Sequence, residues 1–436
     1  MKRSLKFMLL VTVLLTGTMT GLAASYDSDS ASIRDLRWRG NTIRVAISSS
    51  MSDQSPSIKR GSDVAQAVER SLQRWAEAAG FRLQIFYTPL QNVSPSGPRG
   101  DGISLITIAP TAENTLVFSK NGNSLPAATR VFFDRNGNIT EADIVLNASH
   151  QFSTDGTFGT YDLETVLMHE AGHLLGLDHS PTVGSLMWPQ IGRNGLFSVS
   201  SFFRRELLDA DLAAVREMYG VFADEEKCCG TLEVKLPSKA GDSLSGVWVE
   251  DAVSGKLVAA SAFAANEKAA RISSLRAGSY NVFVSEGGDG IRSGSILGTV
   301  EVSKGSTAVL KADTDLAASG ASFQFGLNGE AALMSLPVNP GKTFTASLVL
   351  QENAGDRQVL YSSSKFISID DGSIQLTVDP FGRFVAVFDV TISEDASPGA
   401  YSLCLLDQNG QENCFPGVFT VSAHQNPWYK RDFSKY

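Results

Sequence analysis

The chain has 436 residues, with 37 Lys and Arg against 46 Asp and Glu, for a net charge of −9. That length predicts more than one domain. The acidic balance argues against nucleic acid or an anionic membrane as the main partner.

Met1–Ala24 reads as a secretory signal. Lys2, Arg3 and Lys6 precede an apolar run from Phe7 to Leu15, and Ala23-Ala24 stands near the cut. The run is short for a bilayer span, and no other segment is long enough to cross one. The mature chain is therefore expected outside the cell with no membrane span. Tyr26 to Ser32 is a short Ser/Asp stretch, and residues 25–35 are expected to be flexible.

Thr42 to Ser48 reads as a strand. Ser62 is placed to cap a helix in which Val64, Val68, Leu72, Trp75 and Ala79 share one face, ended by Gly80. Strands follow at Arg82 to Tyr87 and Ile103 to Ile108. Asn136-Gly137 signals a hairpin between Thr129–Asp134 and Ile139–Asn147. Asp134, Asn136 and Asn138 alternate like calcium ligands, but no late glutamate completes a loop, so a plain turn is expected. Asp162 and Glu164 suit the first turn of the next helix through its dipole. A last helix, capped by Asp209, carries Leu212, Val215 and Tyr219 and closes at Gly220.

Within that next helix lies the most informative run, His169-Glu170-Ala171-Gly172-His173-Leu174-Leu175-Gly176-Leu177-Asp178-His179. Three of the chain's five histidines fall in these eleven residues. Residues four apart lie on one face of a helix, so His169 and His173 can aim at one ion. Glu170 is offset around the helix and stands beside the ion rather than on it. Gly176 tolerates the left-handed turn that brings His179 back as third ligand. Three protein ligands leave a fourth position for water, the mark of a catalytic zinc. Glu170 is then the general base and acid for water on that zinc.

This run, followed by Ser180 and by Ser185-Leu186-Met187-Trp188-Pro189, resembles the metzincin clan of zinc endopeptidases, and within it the matrixins of bacterial type. The resemblance implies that Met187 is the methionine of the turn beneath the zinc. It implies an α+β domain over residues 36–222, a twisted mixed five-stranded sheet with three helices and an antiparallel edge strand above the cleft. The best match to that edge is Ala128 to Phe133. The resemblance also places Thr165, Pro189 and Ile191 around an apolar pocket for the first residue after the cut. Calcium enters by this resemblance only. A second, structural zinc is not expected, because Val145 stands where a strand histidine would be. His150 alone precedes the motif and is expected in a polar loop. No cysteine precedes Cys228, so latency by a capping thiol is not expected.

Beyond residue 222 the character changes. Asp224-Glu225-Glu226-Lys227 lies in a charged linker, 223–229. Residues 230–313 and 314–424 alternate in β style with regular turn residues, and are expected to form two all-β sandwiches. Gly246 to Asp251 and Leu275 to Val282 resemble phrases of carboxypeptidase-regulatory-like sandwiches. Pro340-Gly341 and Pro398 to Leu403 resemble Ig-like domains. The sandwiches are candidates for binding a surface or a substrate. Trp248 and Phe381 are expected in cores rather than in a binding patch. Cys404 and Cys414 flank Asp407-Gln408-Asn409-Gly410 and are placed for a cross-strand disulfide. The partners of the adjacent Cys228 and Cys229 cannot be read. Residues 425–436 are expected to be a solvated tail.

The chain thus reads as a multidomain, secreted zinc endopeptidase acting on extracellular proteins or peptides. It holds one catalytic zinc and is followed by two sandwiches. The competing reading is an inactive secreted binding or adhesion protein acting through the sandwiches. Because every motif residue lies at or before Met187, residues 36–222 are expected to be self-sufficient.

Overall fold

The computed structural model describes residues 36–94, 100–119, 124–194, 205–220, 228–236, 244–262, 267–286, 293–312, 324–327, 330–332, 335–350, 359–378, 382–406 and 412–422. The expected signal 1–24, the segment 25–35, the turn Asp407–Gly410, Phe381 and the tail 425–436 lie outside the described residues. Among the described residues, no helix is long and apolar enough to cross a membrane.

The N-terminal half is built on a five-stranded sheet in the order β2-β1-β3-β5-β4. These strands are β1 (Thr42–Ser48), β2 (Arg82–Thr88), β3 (Ser104–Thr107), β4 (Ala127–Phe133) and β5 (Ile139–Leu146). β1 runs parallel to β2 and β3, and β3 parallel to β5, while β4 is the antiparallel edge. The β4–β5 turn is the expected plain hairpin. Gly137 takes φ 75°, and Asp134 accepts from the N–H groups of Asn136 and Asn138 and from the Asn138 amide.

α1 (Val64–Ala79) buries Val64, Val68, Leu72, Trp75 and Ala79 as its spacing predicts. Its cap is Asp63, not Ser62. The Asp63 carboxylate accepts from Gln66 N–H, a stronger acceptor one residue further on. α2 (Ala112–Leu116) was not anticipated, being only five residues long and too short to show a period. With α3 (Leu163–Leu174) and α4 (Asp209–Tyr219) the described residues of this half form four α-helices rather than three. Asp162 caps α3 from outside its first turn, accepting from Thr165 N–H. At α4 the capping position is Leu208, not Asp209. Asp211 performs the polar work, accepting from Leu208 N–H at 2.9 Å, and Asp209 is left to pair with Lys256 at 2.6 Å.

The main core fills the space between α1, α3 and the sheet, with Val45, Leu72, Trp75, Ile144, Val166, Met187 and Val215 among its members. Trp75 donates its indole N–H to the Met168 carbonyl at 2.6 Å and so staples α1 to α3. A short parallel pair, β6 (Phe152–Ser153) and β7 (Tyr161–Asp162), leads into α3.

Among the described residues the C-terminal half is built of strands, with one 3-10 turn at Asp371–Ser373. Its first seven strands are β8 (Cys228–Lys235), β9 (Leu244–Asp251), β10 (Leu257–Ala262), β11 (Ala269–Arg276), β12 (Gly278–Glu286), β13 (Gly294–Val302) and β14 (Thr307–Lys311). Cys228 and Cys229 therefore belong to a strand, not to the linker, and they are bonded to each other. The next five are β15 (Gln324–Leu327), β16 (Glu330–Ala332), β17 (Leu336–Val338), β18 (Thr343–Leu350) and β19 (Val359–Tyr361). The last five are β20 (Ile367–Ile369), β21 (Gln375–Val378), β22 (Phe384–Ile392), β23 (Gly399–Leu406) and β24 (Glu412–Val421). Cys404 and Cys414 face each other in register on β23 and β24 and form the expected disulfide.

The two sandwiches are not separate. One sheet runs β10-β9-β12-β13-β24-β23-β19 and serves both, joined where Gly294 on β13 pairs with Cys414 on β24. A Cβ on Gly294 would lie 2.0 Å from the Val284 carbonyl oxygen, so the junction requires a glycine. Two exposed edges become one continuous sheet. Trp248 is fully buried and stacks on Phe283 at 4.9 Å between ring centroids.

α4 belongs to both halves of the chain. Val215 sits in the main core, Ala213 in the core of the first sandwich, and Leu208 and Ala210 against Trp248, Leu257 and Ala400. Residues 36–222 therefore share one helix with the sandwiches. A chain ending at Gly220 would expose Leu208, Ala210 and Ala213, removing about 2 kcal/mol of burial. The melting transition of its metal domain should fall by roughly 4–8 °C against the full chain. Equal midpoints in a calorimetric scan would show that the helix draws no stability from the sandwiches.

Candidate metal centre

All twelve residues of α3 are buried. The helix begins in a knot of charge. Asp162 and Glu164 are 0% and 1% exposed. They stand at the positive end of the helix dipole. Arg205 pairs with both, and Arg70 reaches Glu164 at 2.7 Å. Paired arginines make such burial tolerable, since an isolated buried carboxylate would not stay ionised. Thr165 is tied into the knot: its N–H and its hydroxyl each donate to Asp162 at 2.8 Å.

The helix ends as the motif requires. Gly176 takes φ 93°. Its N–H donates to the His173 carbonyl at 2.8 Å, and Leu177 N–H to that of Gly172 at 3.0 Å. These two bonds are a Schellman closure. A Cβ on Gly176 would lie 2.3 Å from the Leu36 carbonyl oxygen, so no other residue fits. The remaining end carbonyls are met from outside, Leu174 by the Trp38 indole at 2.8 Å and Leu175 by the Tyr219 hydroxyl.

The reversal brings His179 against the helix. Its Nε2 lies 3.2 Å from Nε2 of His173, and one nitrogen from each of His169, His173 and His179 falls within 4.8 Å of the others. His169 Nδ1 lies 2.9 Å from the Leu186 carbonyl, and His173 Nδ1 lies 2.8 Å from that of Leu177. A carbonyl only accepts, so each Nδ1 carries the proton and each Nε2 keeps its lone pair for the shared point. Burial pushes His173 down to about 4. Burial, with His173 beside it, pushes His179 down to about 3. Both rings are neutral ligands at pH 7. Two nitrogens on one tetrahedral zinc at about 2.0–2.1 Å stand about 3.3 Å apart, so the observed pair fits that ion.

Met187 lies directly beneath. A Cβ on Gly172 would meet the Met187 sulfur at 2.2 Å and the Trp75 ring at 3.1 Å. The motif's middle glycine is thus a packing requirement as well as a spacer. Asp211 holds the turn from below, accepting from the Ser185 hydroxyl at 2.5 Å and from Leu186 N–H at 3.0 Å. Its carboxyl is raised by burial, against the hydrogen bonds it accepts.

Glu170 turns away from the three nitrogens towards β4. Its Oε2 accepts from the Thr129 hydroxyl at 2.6 Å. Burial pushes its carboxyl up to about 7, and the Thr129 donor opposes this. Thr129 was missed in the sequence, although a faint signal existed. It is the polar residue in the row Ala127, Thr129, Val131, whose other two members pack into the main core. Leu186 and Leu177 were missed as well, because a backbone carbonyl leaves no trace in residue type, and so was Asp211, whose reach to this turn depends on where α4 docks.

The other expected residues fall as follows. His150 is buried, edge-on to Tyr161 and 3.1 Å from Arg193, well outside the histidine cluster. The loop around it is therefore covered rather than open. Val145 packs with Val93, Phe118 and Ala128 in a small outer core. Pro189 is exposed and Ile191 is partly buried against the main core. Among the described residues, one other cluster has ligand spacing, Cys404, Glu412 and Cys414, and its two sulfurs are bonded to each other.

Comparison with known proteins agrees with this geometry. Residues 37–220 match the family model of the M10 peptidases described as Matrixin. The domain is matrixin-like. Metalloendoproteinase 1 of Glycine max is 24% identical over 208 residues, which cover 44% of this chain and 56% of that protein. The chain thus spans little more than half of that relative's length. Among solved structures, an anomalous substructure of titin A168169 overlays at a TM-score of 0.15 and 12% identity, covering 45% of this chain and 98% of that one. At that score it carries no argument. The family match and the plant relative support a metallopeptidase, and the family implies zinc.

One zinc per chain is expected from this donor set. His169→Ala or His179→Ala should leave the purified protein with almost none. Metal analysis finding two tightly held zincs in the parent protein would refute the argument from Val145 and His150.

Proposed function

We propose that the chain is a secreted zinc-dependent endopeptidase that cleaves extracellular proteins or peptides. The observation that carries this reading is the convergence of three imidazole nitrogens with a restrained carboxylate one residue from the first of them. Zinc held there supplies a Lewis acid that acidifies water and polarises a carbonyl. His169, His173 and His179 hold it. Glu170 accepts the proton from the attacking water and delivers it to the leaving amine. Met187 and Gly172 form the floor on which the ligand rings rest.

The substrate is proposed to enter as an added strand along β4, whose outer edge has no neighbouring strand in the sheet order. Main-chain bonds would then hold the peptide, and pockets beneath alternate side chains would choose it. Thr165, Pro189 and Ile191 remain the proposed surroundings of the pocket after the cut. Thr165 is short and its hydroxyl is committed to Asp162, so nothing charged is offered there. Export rests on the pattern Met1–Ala24, and N-terminal sequencing of the exported protein tests it. The carboxypeptidase-regulatory-like and Ig-like character of the sandwiches rests on their sequence phrases and on their all-β build. The inactive binding protein is the weaker reading, because a relic has no need to keep Glu170 and a donor aimed at it.

Glu170→Gln should keep zinc and fold while losing peptidase activity by about 10² or more. Loss of zinc in that variant would make Glu170 a ligand and overturn its assigned role. Cleavage-site profiling on a proteome digest should show medium or large apolar residues just after the cut. A dominant preference there for acidic or basic residues would sink the pocket assignment.

A further inference from the structure

We propose that Thr129 is a positioning residue for Glu170, its hydroxyl fixing one carboxylate oxygen so that the other is presented for proton transfer. The inference rests on the endopeptidase reading above and adds to it a residue of the edge strand.

The bond joins two buried side chains, Thr129 and Glu170 at 5% and 4% exposed. Its 2.6 Å length falls in the range of a hydroxyl donating to an ionised carboxylate, about 2.5–2.7 Å. Thr129 also approaches the Glu170 carbonyl, but at 3.1 Å. A hydroxyl has one proton, and the shorter contact takes it. Among the described residues, Oε1 of Glu170 has no hydrogen-bond partner. The two oxygens are therefore unlike: Oε2 is held from the sheet side, and Oε1 is the one available to accept a proton.

Threonine suits the task. Its branched side chain is stiff at χ1, so a donor fixed to a strand points in one direction. Its row neighbours Ala127 and Val131 pack into the apolar core, and a valine would serve the strand equally well by shape. The hydroxyl is thus the part that packing does not account for. β4 is also the strand proposed to receive the substrate, so one element would set both the peptide's height in the cleft and the base's orientation.

The test compares Thr129→Val, Thr129→Ser and Thr129→Ala in the full chain, alone and with Glu170→Gln, on a peptide substrate. Zinc content and melting are measured in parallel. Thr129→Val should keep one zinc and lower kcat by about 10–100-fold, the scale of a small misplacement of a catalytic group. KM should stay within about two-fold. Thr129→Ser should recover most of the rate, and Thr129→Val should cost nothing further in the Glu170→Gln background. If the valine variant does not fold, serine against alanine decides, since the pair differs only by the hydroxyl. Full kcat in Thr129→Val, or equal rates for serine and alanine, overturns the inference while a dead Glu170→Gln leaves the endopeptidase reading standing. If Glu170→Gln is itself as active as the parent, that reading fails first.

Discussion

Bringing three imidazole nitrogens to one point is the constraint on which the N-terminal domain depends. Helix geometry supplies two of them, and the third needs a reversal that only glycine at 176 permits. The rings must also be neutral and turned the right way. Burial disfavours the charged form of His173 and His179, and the carbonyls of Leu186 and Leu177 turn two of the rings by accepting hydrogen bonds from Nδ1. Both carbonyls come from the chain after the helix, so the Met-turn and the reversal orient the ligands as well as support them. Gly172 lets the Met187 sulfur close on the helix, and Asp211 then pins Ser185 and Leu186 from below. His169 and His173 are thus each held by a residue whose own position is set by another contact.

The opposite end of the helix is held by charge rather than by packing. Asp162 and Glu164 would be costly in so buried a place without Arg205 and Arg70. In return the helix starts at a fixed residue, which matters because a shift of one position would rotate His169 and His173 off the shared point. Trp75, bonded to the Met168 carbonyl, adds a lateral hold from α1.

What was legible in the sequence was whatever periodicity or a scarce residue type expresses. The three histidines come together as their spacing implies, Gly176 takes the left-handed turn, and the strands of the sheet fall within a residue or two of their predicted ends. The cap of α1 was misassigned because two polar residues competed at its start, and that of α4 because the capping position is the apolar Leu208, whose N–H is met by Asp211. Thr129 gave one polar position in an apolar row, too weak a sign to single out. The sheet common to both sandwiches was not legible at all. β13 and β24 are more than a hundred residues apart, and each alternates as an ordinary strand would; their meeting at Gly294 and Cys414 is a property of two edges, not of either segment. Asp211 reads as a helix-start carboxylate, and its reach to the Met-turn follows only from where α4 docks.

That docking has a consequence for how the halves of the chain relate. α4 is the support of the Met-turn through Asp211 and, through Ala213, Leu208 and Ala210, a wall of the sandwiches. A second link is more direct. The segment from His179 to Met187 touches the second sandwich at Gly184, where an added Cβ would lie 2.6 Å from that of Ala400 and 3.2 Å from the Cα of Gly417. Two backbones meet there with no side chain between them, so the contact cannot be softened by a rotamer change. A shift of the second sandwich therefore reaches Gly184 through one backbone contact, and from there one segment leads back to His179 and on to Leu186, whose carbonyl meets His169. Two of the three imidazoles are thus coupled to the C-terminal half through the same stretch of chain, and His179 is the least buried of the three.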